Sequence, residues 1–126
     1  MTDLKAALYD FWAGFDMPAY LQDSVHNGAE LPYVTYEVVR PPAFGALPLV
    51  AIAWFPPSLD GQLRRTAFQD AVSTAIPEGG VMLPIDGGGC IVLDRNPSGF
   101  VSDYQDPEDT SIIGARVSYL TRFYFA

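Results

Sequence analysis

Leu4, Leu8, Phe11 and Phe15 fall four, three and four residues apart, with Ala7 and Trp12 beside them, which is the apolar stripe of an amphipathic helix. Thr2 or Asp3 can cap it. Gly14 and then Pro18 are expected to stop it, because glycine accepts the left-handed terminal conformation and proline cannot continue the hydrogen-bond ladder. The expected helix therefore runs from about Asp3 to Ala13. Met17 to Leu31 has no clean period and carries Pro18 and Asn27-Gly28, so it reads as a connection. From Pro32 the pattern changes to alternation, with Val34, Tyr36 and Val38 on the more apolar side of a strand that Pro41-Pro42 ends. Leu47 to Phe55 is almost continuously apolar, which predicts an inner strand covered on both sides or one that shares an interface.

Beyond Pro56-Pro57, Ser58 and Asp60 introduce a second helix. Its expected buried face is Leu63, Ala67, Phe68, Ala71, Val72, Ala75 and Ile76, and its expected wet face is Arg64, Arg65, Gln69, Asp70, Ser73 and Thr74. Pro77 and Gly79-Gly80 close it. Val81 to Ile85 and Cys90 to Leu93 flank Asp86-Gly87-Gly88-Gly89, a pattern that predicts a hairpin. Asp94 to Thr110 holds Asn96-Pro97, Ser98-Gly99, Asp106-Pro107 and five acids, and reads as a long exposed loop. Ile112 to Phe125 alternates again: Val117, Tyr119, Thr121, Phe123 and Phe125 form an apolar face, and Arg116, Ser118, Leu120, Arg122 and Tyr124 a mixed one. The order of elements predicts an α+β fold, a single domain over residues 1–126 with a mostly antiparallel sheet of about five strands and two helices packed on it.

Composition narrows the chemistry. Charged residues are 17% of the 126 against an average of about 25%, while aromatics reach 13%, so the chain can bury a core. Fifteen acids against seven Lys and Arg give a net charge of -8, which argues against nucleic acid and anionic membranes as direct partners. The opening MTDLKAALYDFWAGF is too acidic and its apolar run too short for a signal peptide, and no stretch has the roughly 18 apolar residues of a membrane span. The expectation is a soluble, unexported protein.

Candidate sites are few. A phosphate loop needs Lys and Ser or Thr at a helix start, whereas Gly87-Gly88-Gly89 is followed by Cys90-Ile91-Val92 in a strand, so a hairpin turn is expected there. Cys90 and His26, each the only residue of its kind, fall in different elements without an orienting partner; a small, buried, unreactive cysteine and a surface histidine are expected, with no metal, no cofactor and no catalytic constellation. The acids Asp103, Asp106, Glu108 and Asp109 do not follow the alternating pattern of a calcium loop. What exceeds the needs of a small core is the apolar surface: two Trp, eight Phe and seven Tyr, with six of the seven basic residues Arg, a composition typical of protein interfaces. The acidic loop residues Asp103, Asp106, Glu108 and Asp109 and the helix pair Arg64-Arg65 are therefore expected to meet between subunits, since the guanidinium fork binds both carboxylate oxygens.

Across nearly its whole length the chain resembles the tail terminator, or tail completion, proteins of long-tailed bacteriophages and prophages. The resemblance rests on the order of loose motifs: an opening helix ending in Phe15-Asp16-Met17-Pro18-Ala19-Tyr20, then Leu31-Pro32-Tyr33-Val34-Thr35-Tyr36, then Val50-Ala51-Ile52-Ala53-Trp54-Phe55. A helix closing in Gly79-Gly80 follows, then Gln105-Asp106-Pro107-Glu108-Asp109 before a last strand rich in aromatics. It implies a non-enzymatic virion protein, made in the host cytoplasm, that forms a ring, typically a hexamer, on the finished tail tube. Such a ring stops tube polymerisation and offers a surface to the head-tail connector protein. The strong negative charge and scarce lysine depart from the pattern of that family. Another neck component, or a small cytoplasmic ligand-binding domain or enzyme with a pocket under Gly87 to Gly89, is the alternative.

Overall fold

The computed structural model describes residues 4–22, 25, 28–38, 46–85 and 88–124. Two helices, α1 (Leu4–Ala13) and α2 (Leu59–Ala75), accompany seven strands: β1 (Ala19–Leu21), β2 (Tyr33–Tyr36), β3 (Leu47–Phe55), β4 (Val81–Pro84), β5 (Cys90–Arg95), β6 (Val101–Tyr104) and β7 (Ile113–Tyr124). The order across the sheet is β1-β2-β3-β7-β5-β4, with β6 also on β7. Every pairing is antiparallel except β1 with β2. The α+β class and the helix layer are as the sequence predicts, but two strands more than five are present.

Both additional strands lie where turn-forming residues hide the β signal. β1 is three residues long and follows Pro18, whose carbonyl accepts from Val34 N at 2.9 Å. β6 lies inside the stretch expected as loop. Residues 96–99 make a turn, with Ser98 N donating to Asn96 Oδ1 at 2.9 Å, and the strand then resumes. Ser118 holds both sides of the interruption, since its carbonyl accepts from Asn96 N and its N–H donates to Phe100 O at 2.7 Å. β5 and β6 thus run end to end along one edge of β7, from Cys90 opposite Tyr124 to Tyr104 opposite Gly114.

Alternation along the strands sends one set of side chains to the helices. Val34, Tyr36, Leu49, Ala51, Ala53, Phe55, Ile91, Leu93, Ala115, Val117 and Tyr119 are buried there with Trp12, Phe68, Val72 and Ile76. Aromatic edges join the layers: Trp12 to Tyr119 at 5.6 Å, Phe15 to Phe68 at 5.3 Å and Phe55 to Phe68 at 6.1 Å between ring centroids. Buried Thr121 donates its hydroxyl to Leu47 O at 3.0 Å. The Trp12 indole N–H and Tyr119 hydroxyl are buried without a hydrogen bond of normal geometry, and burial pushes the Tyr119 pKa well up.

The helix ends and faces differ from expectation in instructive ways. The Thr2 and Asp3 caps of α1 lie outside the described residues. The left-handed residue after it is Asp16 (φ 61), not Gly14, an acid being one of the few side chains that tolerates that conformation. In α2 the side chains turned to the sheet are Phe68, Val72 and, at the cap, Ile76, with Gly61 below them, whereas Leu63, Ala67 and Ala71 are exposed. The start of the helix sits close against the preceding turn: a Cβ on Gly61 would lie 1.8 Å from the Pro56 carbonyl oxygen. Ser58 caps the first turn by accepting from Gly61 N at 3.1 Å. The other end has no basic residue of its own, and Arg95 of β5 supplies the charge, donating from Nε to Ile76 O and from Nη2 to Ser73 O, each at 2.8 Å. Its guanidinium also stacks 4.8 Å from the Phe100 ring centre.

Two outcomes test this packing. Gly61→Ala should lower stability by about 1–3 kcal/mol in urea unfolding, the steric overlap outweighing the gain in helix propensity of about 1 kcal/mol; a variant as stable as the parent would refute the close approach. Arg95→Met should cost about 2–3 kcal/mol, because two helix carbonyls lose a charged donor, and an unshifted urea midpoint would show that water replaces it without loss.

Candidate functional site

The structure divides the six residues expected at a subunit contact into three groups. Asp103 stands on β6 opposite Ala115, on the helix side of the sheet. There Arg65 Nη2 lies 3.4 Å from Asp103 Oδ2, and Gln69 Nε2 donates to Asp103 Oδ1 at 2.7 Å. The Arg65 side chain is only 19% exposed. Arg65 therefore does not belong to the wet face of α2, nor Asp103 to a loop: they stitch helix to strand within one chain. Arg64 is half exposed and meets Asp60, one helical turn earlier, at 3.9 Å. Asp106, Glu108 and Asp109 occupy the connection from β6 to β7, and among the described residues no ion pair joins them to either arginine.

That connection is ordered by its own side chains. Gln105 Nε2 donates to the carbonyls of Asp109 (3.2 Å) and Ile112 (3.0 Å), and Asp106 Oδ1 accepts from Glu108 N at 2.9 Å. Asp109 Oδ1 accepts from both the hydroxyl and the backbone N–H of Ser111, which hold its carboxyl below the usual carboxylate range. The loop closes one end of a groove of about 380 Å³ on the sheet face away from the helices, lined by Tyr33, Glu37, Ile52, Trp54, Asp106 and Asp109 among others. Burial raises the Tyr33 pKa, and the Asp109 and Tyr20 charges raise it further.

Trp54 dominates this side. Its indole N–H donates to Thr35 Oγ1 at 3.3 Å, and that hydroxyl donates to Ile52 O at 3.3 Å. Opposite Trp54 on β7 is Gly114, where a Cβ would meet the indole at 3.3 Å, so the ring lies across the strand and reaches Tyr104 edge-on at 5.6 Å. Glu37 extends the ladder past the end of β2 by accepting at Oε1 from Val50 N at 3.1 Å. Val50, Ile52 and Trp54 are half-buried here, whereas Leu49, Ala51, Ala53 and Phe55 on the helix side are buried. Among the described residues, no element packs over this face.

A second groove, about 370 Å³, runs between the α1–β1 turn and α2, with Phe15, Met17, Phe55 and Phe68 along it and Arg64, Ala67 and Ala71 on its helix side. Beside it Leu59 is 73% and Leu63 62% exposed. Sequence periodicity missed this stripe because Leu63, Ala67 and Ala71 share their spacing with the buried set, and only the tilt of α2 on the sheet decides which line is covered. Neither groove takes in Gly88 or Gly89, and His26, Asp86 and Gly87 lie outside the described residues. Cys90 is half-buried rather than fully buried, because its position opposite Tyr124 turns it to the uncovered side of the sheet.

No family model, no curated protein and no solved structure matches the chain.

Because folding lowers the Asp109 pKa, its contribution to loop order is full above the ordinary carboxylate range and is lost as pH falls through the lowered value. Ser111→Ala removes one of the two donors, and the Asp109 carboxyl carbon should then titrate at higher pH by NMR. A midpoint unchanged from the parent would show that the hydroxyl does not hold the charge.

Proposed function

We propose that this chain is a non-enzymatic virion protein that assembles as a closed ring, a hexamer, on the head-proximal end of a completed phage tail tube. There it stops polymerisation of the tube protein and presents a surface to the head-tail connector protein. The observation that supports assembly is the pair of unlike surfaces: a grooved sheet face with half-buried Trp54, Ile52 and Tyr33, and an exposed helix edge with Leu59 and Leu63. Unlike surfaces on one small domain associate head to tail, and such contacts close into a ring when the rotation is a whole fraction of a turn. The resemblance in motif order supplies the tail tube as the template. The charge balance of -8 suits contact with protein rather than nucleic acid. Among the described residues no helix is long and apolar enough to cross a membrane.

The test is purified chain, alone and with tail tubes, followed by light scattering and negative-stain imaging. Rings at one end of the tubes and arrest of further tube growth are expected. A chain that stays monomeric and never decorates tube ends refutes the reading, and tubes of normal length assembled without it move the protein to a later joining step.

A further inference from the structure

The geometry points to the contact itself: the uncovered sheet face of one copy seats the outer edge of α2 from a second copy. This inference rests on the ring reading. The two surfaces match in apolar character. Leu59 and Leu63 stand one helical turn apart in water, and the face that would receive them has Ile52, Trp54 and Tyr33 half-buried, with no helix over them among the described residues. A helix laid on a sheet already covers the opposite face, and repeating that packing turns two layers into three.

Charge selects α2 of a second copy over the other surfaces of the chain. Glu37, Asp106 and Asp109 line the groove, and no cation lines it among the described residues. Each acid bonds its own chain through one oxygen, Oε1 of Glu37 and Oδ1 of Asp106 and of Asp109, and the second oxygen makes no such bond with the described residues. Two such grooves set directly against each other would bring Glu37, Asp106 and Asp109 onto their like charges, which disfavours a symmetric groove-to-groove contact. The three carboxylates do not converge closely enough to hold a metal ion together. A guanidinium spreads five donors over a plane and stacks on aromatic rings, which suits separated acids beside Trp54 and Tyr33.

The edge of α2 carries the complement. Among the described residues Arg64 forms an ion pair with Asp60 alone, at 3.9 Å and both exposed, a pair of little worth in water. On the sheet, Arg116 stands opposite Ile52, exposed, and makes no ion pair with the described residues. Seating the helix exchanges one weak pair for two, Arg64 with the groove acids and Asp60 with Arg116 of the receiving copy. Arg65 takes no part, being held by Asp103 inside its own chain.

The experiment is complementation between two blocked chains in sedimentation velocity at low salt. Leu63→Glu blocks the helix edge and Ile52→Lys the sheet face, and each alone should be monomeric where the parent assembles. Mixed in equal amounts, they retain one intact half-contact between them and should give dimers and nothing larger. Should Ile52→Lys fail to fold by circular dichroism, Arg116→Glu replaces it, expected to weaken assembly about tenfold and to be restored by adding Asp60→Arg in the same chain. A parent that assembles while both single variants assemble equally well, or blocked chains that stay monomeric when mixed, overturns this contact and leaves the ring reading standing. A parent monomeric both alone and on tail tubes removes both.

Discussion

Strand β7 is paired along both edges, and the rest of the fold depends on that. On one side β3 matches it residue for residue from Leu47 opposite Thr121 to Phe55 opposite Ile113; on the other β5 and β6 share its length. The last strand therefore joins segments from the first half of the chain to the central hairpin, and no two-sided sheet exists until it is in place. Contacts of this sequence separation are entropically costly to close. Because a strand's side chains alternate strictly, fixing β7 by Tyr119 and Thr121 against the core also fixes Arg116, Ser118 and Leu120 on the far side. One register sets both the buried and the bare face.

Long periodic segments were legible from sequence for this reason. β3 and β7 run for nine and twelve residues, enough alternation to state which side is buried, and α1, α2 and the central hairpin carry capping or turn residues at their ends. What was not legible is tertiary. β1 has too few residues for any period, and β6 is separated from β5 by an Asn-Pro and Ser-Gly turn that locally means loop and globally is an insertion opposite Ser118. Arg65 and Arg64 are neighbours in the chain and look alike as helix surface, yet the first is bound to Asp103 across the layers and the second is not. Nothing in their spacing distinguishes them.

The same limit applies to the candidate site. The acids near the β6–β7 connection are visible as a cluster in sequence, but Asp103 is set on the helix side by its pairing opposite Ala115, while Asp106 and Asp109 are placed at the groove by the connection's own hydrogen bonds. Trp54 was visible as an apolar strand residue and Gly114 as part of a strand, yet their relation is a cross-strand fact: the missing Cβ lets the indole lie flat toward Tyr104. The role of Glu37, accepting from Val50 N beyond the end of β2, depends on where β2 stops and has no signal in the sequence.

Aromatic excess in the composition has accordingly two destinations rather than one. Trp12, Phe55, Phe68 and Tyr119 fill the layer between sheet and helices, while Tyr33, Trp54 and Tyr104 are laid over the opposite face. Covering that face as well would take a second helix layer, and the two helices among the described residues both lie on the other side. An uncovered sheet face in water is normally polar on alternate positions. Here the alternate positions of β3 are Val50, Ile52 and Trp54, so the strand has the composition of an inner strand while its chain provides a cover for one side. In the contact proposed above, the second cover of β3 is the exposed edge of α2 from another copy, where Leu59 and Leu63 match it in apolar character.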